Sequence, residues 1–404
     1  MKKKVLVWLS GWVDSAVSAA LLLEQWYEVV GWFMKNYVSD KWNCTTFKDA
    51  EEAIKVAKFL WIELLSFDLQ KEYQERIIDY IFEWYSKWIT PNPDVLCNNL
   101  IKFDVFLNKA MEQWFDFIAT GHYARITTSV ILNEVKDLRW DTKDSSFHSE
   151  WQVWCEVDSS AKASEWQMWC EVDSSAKASE WQIRYHLLQW VDSWKDQSYF
   201  LSGLNQYQLS KSIFPLWEMT KQQVREKAKE IWLPNAERKD SQGLCFIWNV
   251  PIRTFLMQKF PKKEWDILDL NWKKVWTHQW AYFYTIGQKQ WLWLNFKAYV
   301  YRIDIENNIL YVTDKDAEEL KTKTLIAKNW HWICPGMENE ILNWKKNLSG
   351  KIRYRQIPAV ECNLEKLQNG DMKVTFEKEQ RAVAPGQVFV AYNSDECLGN
   401  GMIA

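Results

Sequence analysis

Residues 10–15 read Ser-Gly-Trp-Val-Asp-Ser, between an apolar run at 5–9 (VLVWL) and a helix-like stretch at 16–25 (AVSAALLLEQ). A strand, a short polar loop and a helix start present backbone N–H groups and hydroxyls where the helix dipole favours an anion. No Gly-Lys-Ser/Thr follows, so the loop is not of the Walker type; a plain strand–helix turn is the bland alternative. Two further segments carry thiols: Pro-Asn-Pro-Asp-Val-Leu-Cys-Asn at 91–98 and Asp-Ser-Gln-Gly-Leu-Cys-Phe-Ile at 240–247. Each sets a cysteine in a polar, turn-rich context, so Cys97 and Cys245 are expected to be exposed. Asp94, three residues before Cys97, is close enough in sequence to move a proton beside that thiol. From these loops alone, two unrelated structural cysteines are an equal reading.

The elements that position these loops alternate. Strand patterns at 5–9, 28–34, 62–67 and 115–120 are interleaved with helix patterns at 16–25, 48–60, about 71–87 and 101–113. That order predicts a parallel α/β sheet. The α/β pattern resumes over 184–205, with helices expected at 197–209 and at 220–231, the latter capped by Thr220. From about 279 onward, alternating stretches (AYFYTI, AYVYRIDI, NILYVT, KIRYRQ, MKVTFE, QVFVAY) separated by Asn, Gly and Lys predict a small all-β barrel.

Between the halves, 149–163 (SEWQVWCEVDSSAKA) repeats at 164–178 with a single change, and a third copy starts at Ser179. Two near-identical units look like a recent tandem duplication, not a solenoid. The stretch 132–182 carries 11 Asp/Glu against 5 Lys/Arg, while the whole chain has a net charge of −3. An acidic, disordered insert is expected, with Cys155 and Cys170 as passengers of the duplication.

The eight cysteines include no C-x-x-C pair, which argues against a zinc ribbon, and no metal site is expected. Cys44, Cys334, Cys362 and Cys397 read as structural thiols, and His186, His278 and His331 lack ligand-like spacing. The lysine-rich 259–274 reads as a solvated face. Met1-Lys2-Lys3-Lys4 leads straight into a strand and no run of 18 apolar residues occurs, so a cytoplasmic protein without a membrane span is expected.

One figure is anomalous. The 404 residues include 12 glycines and 29 tryptophans, where glycine usually makes up ~7%. Trp26, Trp61, Trp217 and Trp232 stand where a helix should end in a glycine. The reading that joins both facts is a stop-type codon that the source organism decodes as glycine, rendered here as tryptophan. A genuinely tryptophan-rich protein is the alternative. With glycine at 8 and 12, the first loop becomes G-L-S-G-G-V-D-S.

That loop resembles the pyrophosphate loop of the N-type ATP pyrophosphatases. SGWVDS, Met34-Lys35, TPNPDVLCN, ATGHYA, KDQSYFL, DSQGLCFI, KIRYRQ and RAVAPGQ together resemble, in order and context, the bacterial tRNA-specific 2-thiouridylases. The resemblance covers nearly the whole chain outside 127–183; the departures are tryptophans at family glycines and the acidic insert.

The resemblance implies an adenine nucleotide α-hydrolase-like catalytic domain over 1–250, interrupted at 127–183, a small central domain over 251–297 and a tRNA-binding β-barrel over 298–404. It implies ATP, with Mg2+, at Trp8, Leu9, Ser10, Gly11, Trp12, Val13, Asp14, Ser15, Met34 and Gly121. It implies tRNA contacts at Asn92, Pro93, Asp94, His122, Lys195, Asp196, Gln197, Arg353, Tyr354 and Gln387. Cys245 would carry the transferable sulfur as a persulfide, Cys97 would attack it and leave a Cys97–Cys245 disulfide, and Asp94 would be the acid/base. The implied product is 2-thiouridine at the wobble position of tRNAs for Lys, Glu and Gln, with sulfur from a persulfide-donating carrier or a cysteine desulfurase.

The chemistry coheres on its own terms. A uridine 2-oxo group leaves poorly until adenylated, a persulfide supplies nucleophilic sulfur, and a second thiol releases it by exchange. Two rival readings remain: an amidotransferase-type adenylating synthetase, which needs no cysteine pair, and a tRNA-binding protein without ATP chemistry, should Trp12 be real.

Overall fold

The computed structural model describes residues 2–35, 46–87, 89–132, 181–239, 252–260, 264–279, 281–289, 292, 294–304, 306–314, 317–343 and 348–404. Cys44, Cys155, Cys170, Cys245 and the acidic repeat lie outside them.

The alternation read from the N-terminal third produces strands β1 (Lys4–Trp8), β2 (Glu28–Lys35), β3 (Leu64–Asp68) and β4 (Phe117–Ala119). After the antiparallel hairpin of β5 (Arg125–Leu132) and β6 (Trp181–Leu188), β7 (Ser212–Ile213) completes a parallel sheet of order β3-β2-β1-β4-β7. From Val5 to Trp8, β1 is apolar and buried because both its faces are covered. Val5, Val7 and Leu9 enter one core, with Val13 and Val17 of the helix Val13–Glu24; Leu6 and Trp8 enter the other, with Ile101, Phe103 and Phe106.

Helix ends bear on the tryptophan question. After Val13–Glu24, Trp26 adopts φ 65°, with Trp26 N–H on Leu23 O at 3.0 Å and Tyr27 N–H on Leu22 O at 3.1 Å. This pair of bonds is the Schellman ending, whose turning residue is normally glycine. The same pair recurs at Trp61, Trp114 and Trp232, with φ 55°, 62° and 58°. Trp272, in a strand-connecting turn, has φ 62°. All five indoles are exposed. In contrast, Trp217 is not among the left-handed residues and lies within the turn that follows β7, so the expected helix end is absent there.

Strands β8 (Trp265–Leu268), β9 (Lys274–His278), β10 (Tyr299–Asp304) and β11 (Ile309–Thr313) form a second sheet of order β10-β11-β8-β9. The AYFYTI segment, expected as a strand, begins as a 3-10 turn at Ala281–Phe283 instead. The C-terminal strands are β12 (Lys321–Trp332), β13 (Leu348–Lys351), β14 (Val360–Lys366), β15 (Met372–Arg381), β16 (Val388–Asn393) and β17 (Glu396–Ile403). They close into a six-stranded antiparallel barrel through the β12–β17 pairing. Leu325, Ala327, Leu364, Met372, Val374, Phe376, Phe389 and Ala391 fill it at the period of two that strands impose. KIRYRQ is strand only at its first residue; Arg353 and Tyr354 sit in the bend that follows. The β5–β6 hairpin extends this barrel through β6 on β17, a junction with no local sequence signal.

Candidate functional site

In the strand order, β1 lies between β2 and β4, so the chain departs to opposite sides of β1. The crevice beyond its carboxyl end is where open α/β sheets bind ligands. Residues 9–15 occupy it. Trp12 is the N-cap of the helix Val13–Glu24 and makes no side-chain cap. The first-turn N–H groups therefore face the crevice, as an anion site requires. The Ser15 hydroxyl donates to Trp12 O at 2.9 Å and accepts from Ser10 N–H at 3.2 Å; the two seryl oxygens are 3.1 Å apart.

The residue that needs glycine here is 11, not 12. Gly11 has φ 81°, and a Cβ there would collide with the Asp49 carbonyl. Trp12 is extended, φ −90° and ψ 159°, so its side chain is the obstacle and not its backbone angle. Its ring lies 3.9 Å from the Arg238 guanidinium carbon. Gly121, after β4, passes close to the helix start, since a Cβ there would stand 2.9 Å from Ser15 N. Met34 and Trp8 line the core below the loop and are buried.

Sequence reasoning missed the residues that hold this loop. Asp14 accepts from Tyr123 Oη and from Lys221 Nζ, each at 2.6 Å. The Gly11 carbonyl accepts from Asn235 Nδ2 at 2.9 Å and from Arg238 Nη1 at 3.0 Å, and Arg238 pairs with Asp49. These partners come from up to 227 positions away, and only Tyr123 lies in a motif the sequence singled out.

The thiol segment starts a helix and not a loop. Asn92 caps Pro93–Cys97 by accepting from Val95 N–H at 3.3 Å, with Pro93 at its first position. The helix continues through Asn98–Val105 into Phe106–Glu112. Cys97 consequently points into the core beside Val95, Ile101 and Phe103 and is 0% exposed, which overturns its expected exposure. Asn92, Pro93 and Asp94 remain half-buried at the helix mouth.

The barrel meets that mouth. Gln387 Nε2 donates to Thr90 O at 3.0 Å, and a Cβ on Gly386 (φ 85°) would meet Thr90 O at 2.7 Å. Tyr354 packs on Phe200 at 4.3 Å between ring centres. Burial and the nearby aspartates, Asp196 foremost, push its hydroxyl up to about 12. Arg353 is exposed and donates to Arg381 O at 2.8 Å.

The remaining expected RNA contacts divide. Lys195 is exposed, while Gln197 bonds Tyr123 by main and side chain. Asp196 is buried, capping Trp190 N–H and Ser198 N–H and pairing with Lys351 at 3.2 Å. His122 is enclosed by Phe103 and Phe214. Lys102 Nζ stands 3.4 Å from its Nε2, which therefore accepts, and Nδ1–H donates to Thr120 Oγ1 at 2.7 Å. Desolvation first, and Lys102 second, hold this imidazole well below its usual pKa. Asp196 and His122 thus shape the site from within.

Family models assign the same three-part architecture. The tRNA methyl transferase HUP domain matches residues 3–150 and 171–249, its PRC-barrel domain 253–314, and an aminomethyltransferase β-barrel domain 322–403. The chain is thus a HUP-type α/β protein followed by two small β-domains. The tRNA-specific 2-thiouridylase MnmA of Methylobacillus flagellatus is 37% identical over 413 residues, covering 100% of this chain and 99% of its own. Those of Ralstonia pickettii (37%, covering 100% and 96%) and Cupriavidus pinatubonensis (36%, covering 99% and 98%) match equally throughout. The chain belongs to the tRNA-specific 2-thiouridylase family. Among the described residues, no helix is long and apolar enough to cross a membrane.

Proposed function

We propose that the protein is a tRNA-uridine 2-sulfurtransferase that thiolates the wobble uridine of tRNAs for Lys, Glu and Gln, using ATP with its Mg2+. The observation that carries this reading is a convergence. The Asn92–Cys97 helix start, Tyr354 and the Gln387 turn of the barrel meet at one mouth, in a chain whose sheet also offers an anion cradle at β1.

The cradle fits a polyphosphate: uncapped N–H groups, two seryl hydroxyls and a glycine in the left-handed conformation meet there. Ser10, Gly11 and the first turn at 13–15 would hold the phosphates. ATP supplies the adenylyl group that turns the 2-oxo group into a leaving group. Cys245 delivers sulfur as a persulfide, received from a carrier protein or cysteine desulfurase in the cytoplasm. Cys97 then attacks the Cys245 sulfur, so the new carbon–sulfur bond stays on the base and a Cys97–Cys245 disulfide forms. Asp94 moves the proton beside them. Since Cys97 is buried, it must be uncovered during the cycle, and the helix mouth gripped by the barrel is the element positioned to do so.

Single-turnover thiolation of tRNA with Cys97→Ser, alongside pyrophosphate release, tests this. Expected is no 2-thiouridine with pyrophosphate release retained. Normal thiolation by Cys97→Ser refutes the cysteine roles. Absence of pyrophosphate release from the Trp12→Gly protein favours the rival, a tRNA-binding protein without ATP chemistry.

A further inference from the structure

The hairpin–barrel junction gathers three metal-binding side chains from distant strands. In the β5–β6 ladder, Thr127 pairs with His186, so Ser129, two residues on, shares the face of His186. In the β17–β6 pairing, Glu396 lies opposite Leu188, two residues from His186 and again on that face. Cys334, just beyond β12, closes the group. The donor atoms of His186, Cys334 and Glu396 all lie within 4.8 Å of one another. A tetrahedral zinc shell needs ~3.3–3.7 Å between donors, so the widest separation must close and the 2.6 Å His186–Glu396 pair must open, both by side-chain rotation.

We propose that His186, Cys334 and Glu396 bind one Zn2+ ion that fastens the β5–β6 hairpin to the C-terminal barrel.

Three observations support it. The first is enclosure. The His186 and Glu396 side chains are only 8% and 18% exposed, and Cys334 is buried. In that setting a divalent cation would cancel one thiolate and one carboxylate.

The second is the outer shell. His186 Nδ1 faces Glu396 Oε1 at 2.6 Å, and Nε2 lies 2.7 Å from Ser129 Oγ. With the ion on Nδ1, the imidazole proton sits on Nε2 and is donated to Ser129, the orienting bond that metal-bound histidines make.

The third is Gln206. Its Nε2 faces Tyr185 O at 2.8 Å, Ile333 O at 2.9 Å and Cys334 Sγ at 3.2 Å, while its Oε1 is fixed by Tyr185 N–H at 2.8 Å. Its two protons serve the two carbonyls, which fix the amide nitrogen 3.2 Å from the sulfur and give a thiolate a positive edge to face. Protons balance: the Cys334 proton leaves to solvent, and no redox change occurs. The sequence hid this site because its ligands are 148 and 62 positions apart.

The test is Zn2+ content of the full-length protein and titration with Co2+. Expected is one Zn2+ per chain and, with Co2+, a thiolate-to-metal charge-transfer band. The band should vanish in Cys334→Ser and persist in Cys97→Ser. Glu396→Gln, which retains an acceptor for Nδ1–H, should weaken Zn2+ binding by at least ~10-fold, with circular dichroism unchanged. A wild-type Co2+ spectrum without the band overturns the proposal, whatever the variants do. Persistence of the band in Cys334→Ser, or Zn2+ binding that is not one per chain, overturns it as well.

Discussion

Gln387 of the barrel donates its side-chain amide to the Thr90 carbonyl at 3.0 Å, two residues before the Asn92 cap of the helix that ends in Cys97. The barrel therefore sets the position of the thiol-bearing segment directly. Removing the bond should cost about 1 kcal/mol of stability. Its larger effect should fall on turnover, because a displaced reacting group loses rate steeply. Gln387→Ala is expected to lower kcat for thiolation by ~10-fold, with KM for tRNA changed less than ~3-fold. A variant with unchanged kcat and raised KM would make Gln387 an RNA contact only.

Each left-handed tryptophan should be a liability. A side chain in that conformation costs roughly 1–2 kcal/mol relative to glycine, partly offset by glycine's greater unfolded freedom. Trp26→Gly, Trp61→Gly, Trp114→Gly and Trp232→Gly are each expected to stabilise the protein by ~0.5–1 kcal/mol. The indoles they remove are exposed and bury little. Denaturant unfolding checks the sign. Peptide mass spectrometry of the protein from its source organism checks the cause: glycine mass is expected at 26 and 61. Trp32 and Trp330 point the same way from inside, since their indole N–H groups are buried with no acceptor among the described residues.

What was legible in the sequence was local. The strand, loop and helix start over 4–24 could be read because they are contiguous, and the Thr220 cap because a threonine stands directly before a helix pattern. Cys97 was misread because polar Asn92 and Asp94 dominate its neighbourhood, while the helix face it shares with Ile101, four residues on, packs into the core. The glycine requirement fell on Gly11 because the clash that imposes it comes from Asp49, 38 residues on. Tyr123, Lys221, Asn235 and Arg238 act on the loop across distances that no pattern reveals.

The β5–β6 ladder pairs without interruption to Leu132↔Trp181, the two described residues that flank 133–180. The ends of that stretch are therefore already at hairpin separation. Replacing 133–180 by Asn-Gly, which favours the type I′ turn, should keep the fold and at least half the thiolation activity. Shortening a long connection removes only ~0.6 kcal/mol of closure entropy per halving. Insoluble protein or lost activity would give the repeat a structural or catalytic part. Retention of activity would mark it as a passenger.

His122 makes stability depend on pH in a definite direction. Its folded pKa lies well below the unfolded value of 6.5, so between the two the unfolded chain binds more protons and stability rises with pH. Going down through pH 6.5, the wild type should lose up to ~1.4 kcal/mol per pH unit from this group. His122→Asn should be less stable at pH 8 but flatter between pH 5 and 6.5. Thermal melts of both proteins across that range measure the difference. Parallel curves would mean that another group carries the acid sensitivity.

Trp12 presents the sharpest test of the proposed nucleotide cradle. Its backbone is extended, so glycine is not needed there for conformation, and the argument rests on the side chain alone. The indole lies against Arg238, 3.9 Å from ring centre to guanidinium carbon. Arg238 also bonds the Gly11 carbonyl at 3.0 Å. A cation held against an aromatic face gains ~0.5–2 kcal/mol and is correspondingly less available to a phosphate. The ring also stands at the N-cap, directly before the N–H groups of 13–15 that an anion must reach within ~2.7–3.2 Å. Trp12→Gly is therefore expected to bind ATP at least ~10-fold more tightly, on the order of 1.4 kcal/mol. Calorimetry on the two proteins, with Trp61→Gly as the stability-matched control, reads this directly. Equal affinities would place residue 12 off the phosphate path and remove 10–15 as the site that holds the nucleotide.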